Sequence, residues 1–278
     1  LELVLSFSVL SALSVTAQVT FYGVQKGPSY TQTIDDTPPT TTNGYGIFAF
    51  FDTTSPEDAS SFTVMGSDTI YATGSGTSFG GVINYPDKVG LDSGFNPGGT
   101  YNIVAYGGTL DGSTGSIPIP SDNYAEQMYL TGSGLSAALA INPHLDFSFN
   151  VGYSIINAYD LGLGNSQAFA IFDQTTGSFI YNVYNDSAGQ SPYAFTIPSS
   201  LLLTMSDTGD AYLGQLTDFN TTSPTATGDF FGIPVSDGFT QTTLFDIVVV
   251  PEPGQWGALI FLGAVATFGL RRARAGLL

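Results

Sequence analysis

Cysteine is absent from all 278 residues, so the chain can form neither a disulfide nor a thiolate metal site. Histidine occurs once, at His144, which leaves a Ser-His-Asp arrangement a single residue to build on. Positive charge is scarce: 5 Lys and Arg stand against 23 Asp and Glu, a net charge of −18. Between Gln18 and Val250 the basic side chains are Lys26 and Lys88 alone. So acidic a surface repels phosphodiester backbones and anionic headgroups, which excludes nucleic acid as a partner. Tryptophan is also single, at Trp256, and away from the two termini no stretch keeps a helical apolar period for three turns.

What is plentiful is short apolar runs separated by Gly, Thr, Ser, Asp and Asn, the pattern of many strands joined by turns. Aromatics at 13% against charged residues at 10% favour packed cores over disorder. Strands are predicted over Val19–Val24, Tyr45–Phe51, Ser61–Met65, Thr69–Ala72, Val82–Asn84 and Tyr101–Tyr106. A second set covers Gln127–Leu130, Leu135–Ile141, Asp146–Tyr153, Gln167–Phe172, Phe179–Tyr184, Tyr193–Ile197, Asp210–Leu216 and Thr243–Val250. Over Asp146–Tyr153 the alternation is strict, with Phe147, Phe149, Val151 and Tyr153 on one face and Asp146, Ser148, Asn150 and Gly152 on the other. One buried and one wet face suits a sandwich sheet. The expected fold is all-β, two tandem Ig-like β-sandwich domains at 18–112 and 113–249. They meet at Asp111–Asp122, a stretch of turn formers that includes Pro118 and Pro120. One large jelly roll is the other arrangement the pattern allows.

Phe95-Asn-Pro-Gly-Gly-Thr-Tyr-Asn-Ile-Val-Ala-Tyr106 resembles the E–F corner of fibronectin type III and related Ig-like domains. The resemblance implies Pro97 at the turn and Tyr101 as a corner tyrosine, ring inward and hydroxyl bonded to backbone upstream. One extra glycine, 98 or 99, lengthens the turn relative to that family, and a plain hairpin tyrosine is the alternative.

Groups able to carry chemistry are few. Gly132-Ser-Gly-Leu-Ser-Ala137 fits a dinucleotide-loop spacing, but Asn142-Pro143 ends the run too soon for the helix such a loop needs. His144 has Asp146 two residues on and no nucleophile elbow, so it reads as a turn histidine. The acid pairs Asp35-Asp36, Glu57-Asp58 and Asp207/Asp210 sit in turn-like contexts where Asp bonds local backbone. No catalytic, cofactor or metal set is expected, and no enzyme activity.

The two ends read differently. Residues 1–17, LELVLSFSVLSALSVTA, form an apolar run closing on Val15-Thr16-Ala17, as in a secretory leader cleaved before Gln18. Its basic n-region is missing and Glu2 has the opposite sign, which fits a start lying further upstream. In the segment 250–278, Gly254 to Leu270 carries no charge, and a helix of that length rises roughly 25 Å against a hydrocarbon core of about 30 Å. Trp256, Leu259, Ile260, Phe261, Leu262, Val265, Phe268 and Leu270 form the apolar anchor, and Arg271, Arg272 and Arg274 place its end in the cytoplasm. Pro251-Glu252-Pro253, that span and the arginine cluster together resemble the PEP-CTERM sorting signal of Gram-negative bacteria. Gly254-Gln255 stands where small Ser, Thr or Ala is usual, and an ordinary C-terminal anchor is the alternative. The resemblance implies a membrane-bound exosortase that removes the tail, in a host that secretes exopolysaccharide and forms biofilms. The expectation is an exported structural or adhesive protein, anchored in the inner membrane before processing and then held at the cell surface or in the extracellular matrix. The alternatives are a glycan-binding module for the host exopolysaccharide and, behind it, a glycoside hydrolase.

Overall fold

The computed structural model describes residues 18–119, 121–185, 194–208, 210–224, 226–230, 232–233 and 235–250, with backbone alone at 207 and 208. The leader at 1–17 and the sorting and anchor segment at 251–278 lie outside the described residues. The first half of the chain runs β1 (Val19–Thr31), β2 (Thr42–Thr53), β3 (Ser61–Met65), β4 (Thr69–Ser75), β5 (Ser78–Tyr85), α1 (Lys88–Gly94), β6 (Thr100–Tyr106) and β7 (Thr114–Pro118). The second runs β8 (Gln127–Leu130), α2 (Gly134–Ala138), β9 (Phe147–Ser154), β10 (Ser166–Asp173), β11 (Ser178–Asn185), β12 (Ala194–Ile197) and α3 (Ser199–Thr208). It closes with β13 (Tyr212–Thr222), β14 (Thr227–Gly228) and β15 (Val235–Ile247). The chain is mostly β with a sandwich-like sheet, as the turn-punctuated pattern required. Among the described residues no helix is long and apolar enough to cross a membrane.

Twelve strands form one sheet in the order β11-β10-β13-β15-β1-β2-β5-β4-β3-β6-β7-β14, and β12-β9-β8 form a second. The large sheet is strongly curled. Phe51 on β2 stacks on Phe62 of β3 with ring centroids 4.3 Å apart. In a flat sheet those strands, three places apart, would be separated by about 14 Å. Gly81 permits the bend: a Cβ there would run into the backbone carbonyl of Tyr71. Curling brings Val24, Ile47, Phe51, Phe62, Val64, Tyr101, Ile103 and Ile117 into one core. The second core lies where β8, β9 and β12 cover β10, β13 and β15, with α2 and α3 at its rim. Phe149 there meets the rings of Phe169, Phe195 and Phe245 at 4.8–6.2 Å. Phe149 and Val151 are buried on β9 and Ser148 and Asn150 exposed, the alternation read from the sequence.

The cores do not part at residue 112. β7, beyond that point, pairs with β6, and Ala226, Phe230 and Val235 return from the far end of the chain to complete the first core. β1 runs parallel to β15, with Tyr22 opposite Val235 and Thr31 opposite Leu244, so one sheet serves both halves. Leu135–Ile141, expected as a strand, holds the short helix α2 instead. Its N-terminal amides find acceptors on the β1–β2 loop: Asp36 Oδ1 takes Gly132 N–H at 3.0 Å and Asp35 Oδ1 takes Ser136 N–H at 3.0 Å.

Candidate functional site

The inward residues of β1 are Tyr22, Val24, Lys26 and Tyr30, all essentially without solvent contact, and Lys26 is 2% exposed. On β15 they are Asp237, Phe239, Gln241 and Thr243. The register sets Val24 against Asp237 and Lys26 against Phe239, so Lys26 and Asp237 enter the same interior from neighbouring strands. Lys26 Nζ lies 5.0 Å from the Phe239 ring centroid and 3.4 Å from Asp122 Oδ1, with side chains 1% and 9% exposed. Lys88 opens α1 after the capping Asp87 and reaches the other oxygen of Asp122. It also meets Asp92 Oδ2 at 2.5 Å, one turn further along α1, and sits 4.6 Å from the Tyr159 ring centroid. Both lysines of the sequence therefore converge on one carboxylate, Asp122, in the segment joining the two halves.

The surroundings are polar and incompletely paired. The hydroxyls of Tyr22, Tyr101 and Tyr124, Asp237 Oδ2, Asp122 Oδ1, Asp92 Oδ1 and Lys26 Nζ are buried with no hydrogen-bond partner among the described residues. Burial lowers the Lys26 pKa, against the opposing pull of Asp122, Asp92 and Asp237. Burial pushes Asp237 up to about 7, against the Lys26 charge and the Gly238 N–H. Burial pushes the Tyr22 phenol up to about 12, and those of Tyr101 and Tyr124 higher still, the latter two with help from nearby carboxylates. For Lys88 burial works against the charge, but the hydrogen bonds and charges of Asp122 and Asp92 outweigh it and hold the ammonium above the ordinary lysine value.

Beside this cluster a row of amides and carboxylates crosses the sheet. Gln167 Nε2 donates to Asp218 Oδ1 at 2.9 Å, and Gly164 N–H donates to Asp218 Oδ2 at 3.1 Å. Gln241 Nε2 donates to Asp160 Oδ1 at 2.5 Å and to the Ala125 carbonyl at 2.7 Å. Asp160 Oδ2 also takes the Ile156 and Asn157 amides, at 2.8 and 2.9 Å. Burial raises Asp218 to about 7 despite its hydrogen bonds from Gln167, Gly164 and Phe219. This row ties the segments around 121–126 and 155–165 to the sheet between the two cores.

Of the acids singled out in the sequence, Asp58 serves its own turn, whereas Asp35 and Asp36 reach a helix about a hundred residues further along the chain. Asp35 and Asp36 hold α2, and Asp58 takes Thr54 Oγ1 at 2.7 Å, the Ser55 amide at 2.9 Å and Thr109 Oγ1 at 3.1 Å. Asp146 takes the Ser199 amide at 2.7 Å and so heads α3, and His144 is exposed. The dinucleotide-like glycines open a helix whose anion is the chain's own Asp35. Asp210 lines an open concavity of about 360 Å³ with Leu139, Met205, Tyr212 and Asp246, while the Asp207 side chain is outside the described residues. No group of three His, Cys, Asp or Glu among the described residues is placed to hold a metal ion. Pro97 occupies the second position of the turn closed by Gly99 N–H on the Asn96 carbonyl at 3.0 Å, and Gly98 follows at φ 76°. Tyr101 is fully buried against Phe95, ring centroids 5.7 Å apart, but among the described residues its hydroxyl has no partner for the backbone bond that defines a tyrosine corner. Pro251, Glu252, Pro253, the anchor residues and the arginines lie outside the described residues. The Lys26–Asp122–Lys88 cluster was missed. Its signal is a lysine in phase with Tyr22 and Val24 on the inward face of a strand.

No protein-family profile matches this chain, and no curated protein matches it. Its weak structural neighbours are fibronectin type III and Ig-like domains. The FN1–FN3 domains of chicken CNTN1 align at 12% identity and a TM-score of 0.21, over 78% of this chain and 66% of that one. Domains A168–A170 from titin align at 11% identity and a TM-score of 0.20, over 81% and 61%. This chain thus spans somewhat under two thirds of each neighbour's length, and neither superposition is close enough to assign a role to any residue.

Proposed function

We propose that this chain is an exported structural or adhesive module of the cell surface or extracellular matrix, without enzymatic turnover. A leader at 1–17 exports it, and a PEP-CTERM-type signal at Pro251, Glu252 and Pro253 presents it to an exosortase-type enzyme after transient anchoring through the membrane. The observation that carries the reading is the fate of its cations. Lys26 is buried against Asp122, and the partly exposed Lys88 is paired with both Asp122 and Asp92, so the described surface offers acids, hydroxyls and amides but no unpaired lysine or arginine. Such a surface stays soluble and self-repelling when displayed densely. Val250, the last described residue, is 40% exposed and hydrogen-bonds Ile141 at 2.9 Å, which suits a following motif read by another protein. The test is the intact mass of the protein purified from its own producer. Loss of residues 1–17 and of most of 254–278 is expected, and Glu252→Ala should leave the anchor attached. Mature protein that retains the whole tail in a host containing an exosortase would reduce the motif to a plain anchor.

A second reading, a glycan-binding module, draws on rings along the outer face of β1 and β2. Phe21 lies 5.3 Å from Phe50 and Phe50 lies 5.8 Å from Phe48, with Val82 and Tyr71 exposed on nearby strands. Tyr184 is exposed on β11, and Tyr193 is outside the described residues. Retention of the purified protein by the host's exopolysaccharide would favour this reading.

A further inference from the structure

The contact between Lys26 and Asp122 is not an ordinary buried ion pair. Nζ and Oδ1 are 3.4 Å apart, yet they are not aligned for a hydrogen bond, and neither has another hydrogen-bond partner among the described residues. The second oxygen of Asp122 is already held by Lys88. A dry ion pair that lacks supporting hydrogen bonds gains little over an uncharged replacement. An amine and a carboxyl held together out of water, the nitrogen 3.4 Å from a carboxylate oxygen, have a route to that uncharged state.

We propose that Lys26 and Asp122 become joined by an intramolecular amide, an isopeptide bond formed within the folded chain. The Lys26 nitrogen attacks the Asp122 carboxyl carbon, an N–C bond forms, and the bond from that carbon to one carboxyl oxygen breaks. Two protons from the former ammonium leave with that oxygen as water. Ammonium and carboxylate thus become a neutral amide and water, and no oxidant, reductant or cofactor is needed. The neighbours suit the steps. Burial eases Lys26 toward its neutral, nucleophilic form. Lys88, held as an ammonium on the other oxygen, stabilises negative charge as it develops on the carboxyl group. Asp237 enters the same interior beside Lys26, with Oδ2 unpartnered, and is half-protonated near pH 7, as a proton relay needs to be. Lys88 itself is a poor nucleophile, since its side chain is 17% exposed and two carboxylates keep it charged.

The bond stands or falls independently of export and sorting. Its test is peptide mapping of the full chain, digested with trypsin and a second protease under denaturing conditions and read by tandem mass spectrometry. The expected result is no tryptic cut after Lys26 and a branched species joining the Lys26 and Asp122 peptides, lighter by one water than their sum. The branch is the readout, because Asp-Gly steps such as Asp237-Gly238 can also lose water by forming a cyclic imide. Lys26→Arg should abolish the branch and lower the melting temperature. A linear peptide ending at an unmodified Lys26 overturns the proposal, as does a branch to Asp122 from Lys88. The wild-type digest decides even where Lys26→Arg fails to fold.

Discussion

Burial sets the charge state of Asp237, raising its pKa against the pull of the Lys26 ammonium on the neighbouring strand. With its pKa pushed from 3.8 up to about 7, folded Asp237 keeps a proton that the unfolded chain has lost. The folded state therefore binds more protons between about pH 4 and 7, and stability falls as pH rises through that window. Asp218, also raised to about 7, acts in the same direction, and so does self-repulsion at a net charge of −18. The exposed caps act oppositely. Hydrogen bonds from Ser136 lower Asp35 and the Ser199 amide lowers Asp146, so their contribution is present above the ordinary carboxylate value and is lost as pH falls through the lowered one. The maximum should lie near pH 4–5, between the two windows. Urea midpoints at pH 4.5 and 7.5 should differ in favour of the lower pH. Asp237→Asn, which cannot titrate and whose amide can replace the unpartnered Oδ2, should shrink the difference. An unchanged difference in that variant would mean Asp237 does not titrate as described. None of this was legible in the sequence, where Lys26 and Asp237 are far apart and nothing local pairs them.

Elements were legible where apolar alternation is unbroken and lost where function or packing puts polar groups inside. Ser61–Met65 and Gln127–Leu130 were read at their observed bounds. β1 was expected over Val19–Val24, yet it continues to Thr31 with Lys26, Gly27 and Pro28 still paired to β2. β15 was read only from Thr243, because Asp237, Gly238 and Gln241 disguise its first half. The segment after β1 carries another side chain doing backbone work. Gln32 Nε2 donates to the Leu130 carbonyl at 2.8 Å, and its Oε1 takes the Leu130 amide at 2.8 Å, so a buried glutamine extends the edge of β8. Gln32→Ala removes both partners at once and leaves two buried backbone groups unsatisfied. The expected loss is about 2–4 kcal/mol, measured by chemical denaturation. Hydrogen exchange at the Leu130 amide should speed up more than at amides of β3. A loss below about 0.5 kcal/mol would show that water replaces the glutamine without penalty.

At the scale of the whole molecule the strand-rich class follows from composition, but the adjacency of β1 and β15 does not, because strand neighbours are set by long-range packing. That adjacency changes what the two halves are to each other. If β1 and the segment after β7 are also covalently joined, the loop closed from Lys26 to Asp122 is long enough to contribute about 4–5 kcal/mol by restricting the unfolded chain. Even without the bond, the first core is incomplete on its own. Ala226, Phe230 and Val235 fill it from the far end of the chain, and β15 covers the edge of β1 along most of its length. A fragment of residues 18–119 would therefore expose Tyr22 and the β1 edge, and it would strip Lys26 of both Asp122 and the Phe239 ring. Removing one partner of a buried ion pair is costly, and a bare sheet edge invites association. The fragment should show a poorly dispersed amide NMR spectrum and no cooperative melt, while the same residues within 18–250 should melt as one transition. Adding the complementary residues 121–250 should restore dispersion if the two pieces can find each other. A well-dispersed spectrum and a sharp melt from 18–119 alone would establish two separable sandwiches, and β1–β15 would then be a docking contact between finished domains.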